Sequence, residues 1–252
     1  MKIAIIIPAR YNSKRLPKKP LLKINNKTLV LHTYLRATKA LNKKDIYITS
    51  DSKKVLDEFE GITNNTILIK KNCLNGTERC SHAVEKIKKN YDYFLILSCD
   101  MPFLDIGALN YLLKNINNSK KNYDAFTLHT SIQGIKTLKD KSIAKVVVNL
   151  NNEILYISRS PIPTFKNIKN KPNQVKGKKD LYSHHGLVAI KKNILRKYKN
   201  LKNTKLQLHE DNEWLKIIEH GFKIKSIYSK KISPEINTKS DLKKSLNKIY
   251  TK

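Results

Sequence analysis

The stretch from Lys2 to Pro20, KIAIIIPARYNSKRLPKKP, constrains the fold more than any other part of the chain. Ile3 to Ile7 is apolar throughout, without the alternation of a half-wet strand, and so predicts a strand covered on both faces. It runs directly into a loop that carries Arg10, Arg15, Lys18 and Lys19 and is stiffened by Pro8, Pro17 and Pro20. Doubly covered strands belong to α/β sheets, whose ligands bind in the crevice beyond the carboxyl ends of the strands. A rigid cationic loop at that edge points to an anionic ligand such as a nucleotide. A solvated basic turn would carry the same charge, but it would not explain the prolines and arginines placed directly behind a buried strand.

The following segments keep this rhythm. Lys27 to Leu41 has apolar residues at helical spacing, and Asp45 to Ser50 reads as a second strand. Asp51 and Ser52 can cap a short helix through Phe59, and Thr66 to Ile69 is a third strand. The alternation predicts a parallel, Rossmann-like start. Asn75-Gly76 then makes a tight turn, with Thr77 as the cap of a helix from Arg79 to Lys89. Arg79 falls in the first turn of that helix, where the dipole disfavours a cation unless an anion faces it. Tyr93 to Ser98 is an apolar central strand ending near Asp100. A lone acid at such a tip suits a metal ligand, although Asp-x-Pro is also turn chemistry. Asp105 reads as a plain helix N-cap.

From Tyr123 to Ser158 the pattern changes to strands without intervening helices: Ala125 to His129, Ala144 to Leu150 and Glu153 to Ser158, the last two joined by Asn151-Asn152. Leu181 to Ile190 is a further strand, in which the adjacent His184 and His185 point to opposite faces and do not share a metal. Leu206 to His220 predicts one amphipathic helix ended by Gly221. Phe222 to Tyr228 is a strand, and Thr238 with Asp241 forms a capping box for a last helix. The expectation is a single domain over residues 1–252, with a β-rich lobe at about 125–190.

A net charge of +31 raises nucleic-acid binding as a possibility, yet only six of the 51 basic residues are arginine and the lysines are spread over the whole chain. A nucleic-acid surface clusters its charge and favours the arginine fork, and no RNP, helix-turn-helix or zinc-finger pattern accompanies the charge here. Against this lysine background each arginine marks a place where bidentate recognition of phosphate or carboxylate is wanted. Cys73, Cys80 and Cys99 have no metal-ligand spacing and read as reduced. No apolar run approaches the ~20 residues that cross a bilayer, so a cytoplasmic protein is expected, without membrane or nucleic-acid partners.

Taken together, the motifs resemble the 3-deoxy-manno-octulosonate (Kdo) cytidylyltransferase family over nearly the whole chain. IPARYNSKRLPKKPL (Ile7 to Leu21) is similar to the family's IPARYxSxRLPGKPL. NGTERC, CDMP, YISRSPIP, HHGL and NTKSDL follow in the family's order. The resemblance implies an α/β, Rossmann-like nucleotidyltransferase sheet, mostly parallel and three-layered, with a small β-rich dimerisation lobe. It also implies a homodimer that uses CTP and Mg²⁺ to make a CMP-sugar for lipopolysaccharide or another surface glycan. Arg10, Lys19 and Asp100 are the implied catalytic residues. Arg10, Arg15, Lys19 and Arg79 would bind the nucleotide, Ser98, Arg159, His184 and Glu210 the sugar acid, and Asp100 and Asn237 the metal.

The chain departs from the family at informative places. Ser98, Cys99 and Met101 stand where the family has Gln, Gly and Glu, Asn237 where it has a second metal aspartate, and Lys18 where it has glycine. Val188 replaces a tyrosine that contacts the sugar, and Ser183 a basic residue. These changes leave three readings: Kdo as acceptor, a different ulosonic or amino-substituted sugar acid as acceptor, or a catalytically silent homologue that still binds nucleotide or sugar.

Overall fold

The computed structural model describes residues 1–12, 16–164, 181–231, 233–236, 238 and 240–243. Strand β1 (Ile3–Ala9) leads through the basic loop and a 3-10 turn (Lys19–Leu21) to a small hairpin, β2 (Lys23–Ile24) and β3 (Lys27–Thr28), and then to α1 (Leu29–Ala37). β4 (Ile46–Ser50), α2 (Lys53–Leu56), β5 (Thr66–Leu68), α3 (Gly76–Ala83), β6 (Tyr93–Ile96) and α4 (Ile106–Asn118) follow. β7 (Ala125–Ser131), α5 (Ile135–Lys139), β8 (Lys145–Val148) and β9 (Ile154–Ser158) come next. β10 (Tyr182–Lys191), α6 (Lys192–Tyr198), α7 (Lys205–His209), α8 (Glu213–Glu219) and β11 (Ile224–Tyr228) follow.

The main sheet runs β11-β7-β10-β6-β1-β4-β5, and β10 alone on this path runs against its neighbours. Side chains of β1 alternate between two cores, as strand geometry requires. Ile3, Ile5 and Ile7 face a layer built from α1, α2 and α4. Ala4 and Ile6 face a layer that includes α3, α6 and α8. The result is a three-layer sandwich. From β1 the chain builds outward through β4 and β5, then returns to the other side of β1 to lay down β6. The switch point therefore lies between the carboxyl ends of β1 and β6, where the basic loop and Asp100 emerge.

Several local expectations need correction. Asn75, rather than Thr77, caps α3, accepting a hydrogen bond from Glu78 N at 2.8 Å. A short helix, α5, interrupts the segment expected to hold only strands. The run 206–220 is two helices, because Asp211 takes a left-handed φ of 44° and Asn212 opens a new cap by accepting from Trp214 N. Of the segment 125–190, β7 and β10 lie inside the main sheet, and the β8–β9 hairpin attaches to the Tyr182 end of β10. The capping box is present: Thr238 Oγ1 accepts from Asp241 N, and the Asp241 carboxylate accepts from Thr238 N. Among the described residues no helix is long and apolar enough to cross a membrane.

Candidate active site

The loop after β1 is fastened by partly buried polar contacts. Tyr11 N donates to Asp51 Oδ1 at 2.9 Å just beyond the end of β4, and Asp51 Oδ2 accepts from Arg79 Nη2 at 3.3 Å. Arg79, only 3% exposed, also donates Nη1 to the Ile69 carbonyl at 2.7 Å. The anion that its place in the first turn of α3 calls for is thus supplied by the protein itself. Arg79 still lines the cavity at the switch point, but its guanidinium braces the loop that carries Arg10.

Pro17 and Lys18 turn the chain back, and Lys18 does so with φ at 54°. This brings Lys19 under the sheet edge, where its ammonium pairs with Asp100 Oδ2 and both residues are buried. The exposed Arg10, together with Lys19, Ser98 and Asp100, lines one cavity of about 210 Å³. Its far wall is the amino end of α3, which packs so closely on β1 that a Cβ at Gly76 would stand 3.1 Å from Pro8 Cγ. Asn75 Nδ2 donates to Tyr198 OH at 3.2 Å, and Tyr198 OH donates to Glu213 O at 3.2 Å, so α3, α6 and α8 are tied together there. Glu213 Oε2 accepts from Thr77 N at 3.2 Å, and burial pushes its carboxyl above the usual range.

The residues assigned to the sugar acid form two groups. Ser98 lies in the cavity itself. His184 Nε2 is 3.1 Å from Thr127 Oγ1, and its ring stands 6.4 Å from that of Trp214, a cavity residue. Burial, reinforced by neighbouring positive groups, pulls the His184 pKa down to about 3, so the imidazole is neutral. Arg159 and Glu210 meet beyond it, at the end of β9. Glu210 accepts from Arg159 N and Ser158 Oγ, both at 2.6 Å. The Arg159 guanidinium donates to the carbonyls of Ser142, Glu210 and Asp211. Burial opposes ionisation of Glu210, but these hydrogen bonds prevail and hold its carboxyl below the ordinary value.

Asp100 fits a divalent cation. Its Oδ1 is buried without a hydrogen-bond partner, and its backbone carbonyl is fixed by Ile236 N at 2.9 Å. Among the described residues no three His, Cys, Asp or Glu side chains form a metal cage. An ion here would share its shell with nucleotide phosphates and water, as Mg²⁺ commonly does. Arg15 and Asn237 lie outside the described residues. Glu213, Trp214 and Gly186 also line the cavity, a role that the sequence reading did not assign to them. The run around Glu213 and Trp214 reads as a helix with a buried face, and burial against a cavity leaves the same pattern as burial against a core.

Comparison with known proteins gives consistent results. A family model described as cytidylyltransferase matches residues 4–231. The chain is 30% identical to the 8-amino-3,8-dideoxy-manno-octulosonate cytidylyltransferase of Shewanella pealeana, over 96% of both chains. It is also 30% identical to the protein of that name from Shewanella frigidimarina, over 97% of both. The structure of a CMP:2-keto-3-deoxy-manno-octonic acid synthetase complexed with CTP superposes with a TM-score of 0.87 at 27% identity, covering 100% of this chain and 99% of that one. The inositol-1-phosphate CTP transferase of T. maritima shares the fold, with a TM-score of 0.64 at 15% identity, over 100% of this chain and 95% of that one.

Proposed function

The chain belongs to the cytidylyltransferase family, and on that premise we propose that it transfers CMP from CTP to the anomeric hydroxyl of Kdo or a related 2-keto-3-deoxy sugar acid, releasing pyrophosphate. The observation that carries this reading is the buried Lys19–Asp100 pair beside Arg10 at the switch point of the sheet. There, cations of the loop face the phosphates while an acid remains available for a metal.

In the reaction the acceptor oxygen forms a bond to the α-phosphorus as the bond to pyrophosphate breaks. Arg10 and Lys19 neutralise charge on the phosphates, and Arg15 joins them by its place in the loop motif. Positioning and charge stabilisation of this kind carry most of the catalysis in phosphoryl chemistry. Arg79 holds the loop in register through Asp51. Asp100 and Asn237 are the proposed ligands of Mg²⁺, which when bound screens phosphate charge and orients the nucleotide. Ser98, His184, Arg159 and Glu210 form the acceptor side, with Arg159 and Glu210 shaping its outer wall. We place the enzyme in the cytoplasm, as a homodimer supplying a CMP-sugar for a surface glycan.

A second acceptor is favoured by a specific observation: the Shewanella relatives are named for the 8-amino sugar. The test is pyrophosphate release by pure protein with CTP and Mg²⁺, comparing Kdo with its 8-amino analogue. Turnover with at least one of them is expected, and the larger kcat/KM identifies the acceptor. Absence of release with both, from protein that binds CTP, would refute the transferase reading and leave a silent homologue.

A further inference from the structure

We infer that Lys145 is a positioning residue for the acceptor: it holds Arg159 so that the guanidinium presents a fork to the carboxylate of the sugar acid, an inference that rests on the acceptor-side reading of Arg159. Lys145 lies in β8 and is 0% exposed. Antiparallel pairing sets it opposite Ser158 of β9 on one side and Ser183 of β10 on the other. Cross-strand partners share a face of the sheet, so the two small serines leave room for the long side chain. Its ammonium donates to the carbonyls of Asp140, Ile143 and Arg159, each at 2.7 Å. Those bonds use all three of its donors.

A buried cation held only by carbonyls is a costly way to close a loop. Burial lowers the Lys145 pKa, with the charge of Asp140 as the largest opposing influence. An apolar side chain would fill the same space without desolvating a charge. What lysine adds is a simultaneous grip on the loop 140–143 and on the carbonyl of Arg159.

That grip completes the clamp on Arg159. Its backbone N–H donates to Glu210 Oε2 at 2.6 Å, and its carbonyl accepts from Lys145. Its guanidinium donates Nε to Glu210 O at 3.2 Å, Nη1 to Ser142 O at 2.7 Å and Nη2 to Asp211 O at 3.1 Å. The loop thus divides its carbonyls between two cations, Asp140 and Ile143 serving Lys145 while Ser142 serves Arg159. A guanidinium carries five N–H groups, and with three spent on carbonyls one remains on each of Nη1 and Nη2. That side-by-side pair is the one a carboxylate takes in a bidentate contact. The adjacent Glu210 carboxylate does not occupy it, being bound by Tyr156 OH, Ser158 Oγ and Arg159 N. After burial and two other histidines, the charge of Arg159 also contributes to the lowered pKa of His184, which places the fork on the acceptor side.

The test is pyrophosphate release with each substrate varied in turn, using whichever of Kdo and its 8-amino analogue is turned over better. Lys145→Met keeps the length of the side chain and removes its donors. Its KM for the sugar acid is expected to rise about tenfold, with KM for CTP unchanged. Arg159→Ala should raise the same KM, and the double variant should be no worse than Arg159→Ala alone, because Lys145 acts through Arg159. A general loosening of the fold would instead raise both KM values or multiply the two effects, and either result would overturn the inference. If circular dichroism shows that Lys145→Met does not fold, Asp140→Ala takes its place: the exposed Asp140 carboxylate accepts from Ser142 N and Oγ and so shapes the same loop. That variant should raise the acceptor KM alone, and a wild-type value would count against the inference. An acceptor KM unaffected by Arg159→Ala would refute the acceptor-side reading itself, whereas an effect of Arg159→Ala without one of Lys145→Met would refute the role of Lys145 alone.

Discussion

Asp100 makes two kinds of contact at once. One carboxylate oxygen is paired with the Lys19 ammonium and the other is buried without a partner, while the carbonyl of the same residue holds the chain at Ile236. Asp100→Asn should therefore separate charge from shape. The amide oxygen can still accept from Lys19, so the loss of stability should be about 2 kcal/mol, the scale of one hydrogen bond to a charged group. Turnover should fall by about 10²-fold or more, because the carboxylate proposed to hold the metal at the reacting phosphates is gone. Urea unfolding and a pyrophosphate assay on the same sample check both halves, and wild-type turnover in a folded variant would show that Asp100 is not at the reaction centre. The place of Asp100 at the sheet edge was legible because a continuous apolar strand ends just before it. Arg79 was legible in position but its pairing with Asp51 was not, since Asp51 lies 28 residues away and meets it only through the packing of α3 on the sheet.

At the scale of elements, long apolar runs were read correctly and the short interruptions were not. β1, β4 and β6 follow from uninterrupted β-branched and aromatic residues. The β2–β3 hairpin depends on left-handed Asn25 and Asn26, and the break between α7 and α8 on left-handed Asp211. Single-residue conformations of this kind do not disturb hydrophobic periodicity and so escape a periodic reading. Lys18 is the element-scale feature with the clearest consequence. It occupies φ 54° at the turn into the 3-10 segment, where a Cβ costs about 1–2 kcal/mol. Lys18→Gly removes that strain and gives part of it back through the greater freedom of the unfolded chain. The expected net gain is about 0.5–1 kcal/mol in chemical denaturation, with the Lys19–Asp100 pair retained. A loss of stability would mean that the Lys18 side chain contributes contacts exceeding the strain.

For the molecule as a whole, composition suggested little and topology explained much. Sheet order, which places the switch point between β1 and β6, depends on long-range pairing that no local pattern encodes. That pairing also gathers three histidines from distant places in the sequence: His129 on β7, with His184 and His185 on β10. Burial is the leading cause of each shift, lowering their pKa values to about 4, about 3 and about 4. In the unfolded chain each would titrate near ~6.5. The folded state therefore binds fewer protons below that pH, and stability, fully present above it, is lost as pH falls from about 6.5 towards 4. Glu213 acts with the opposite sign, because burial raises its pKa and so favours the folded state at lower pH. The three histidines together should make stability rise with pH by at most about 4 kcal/mol per unit between 5 and 6, with Glu213 opposing them. Urea midpoints at pH 5.5 and 7.5 measure the slope. His129→Gln, which removes one titrating group outside the cavity, should flatten it. If the midpoint were instead the same at both pH values, or higher at 5.5, the histidines would have to be protonated in the folded protein, and the neutral His184 assigned to the acceptor side would have to be abandoned.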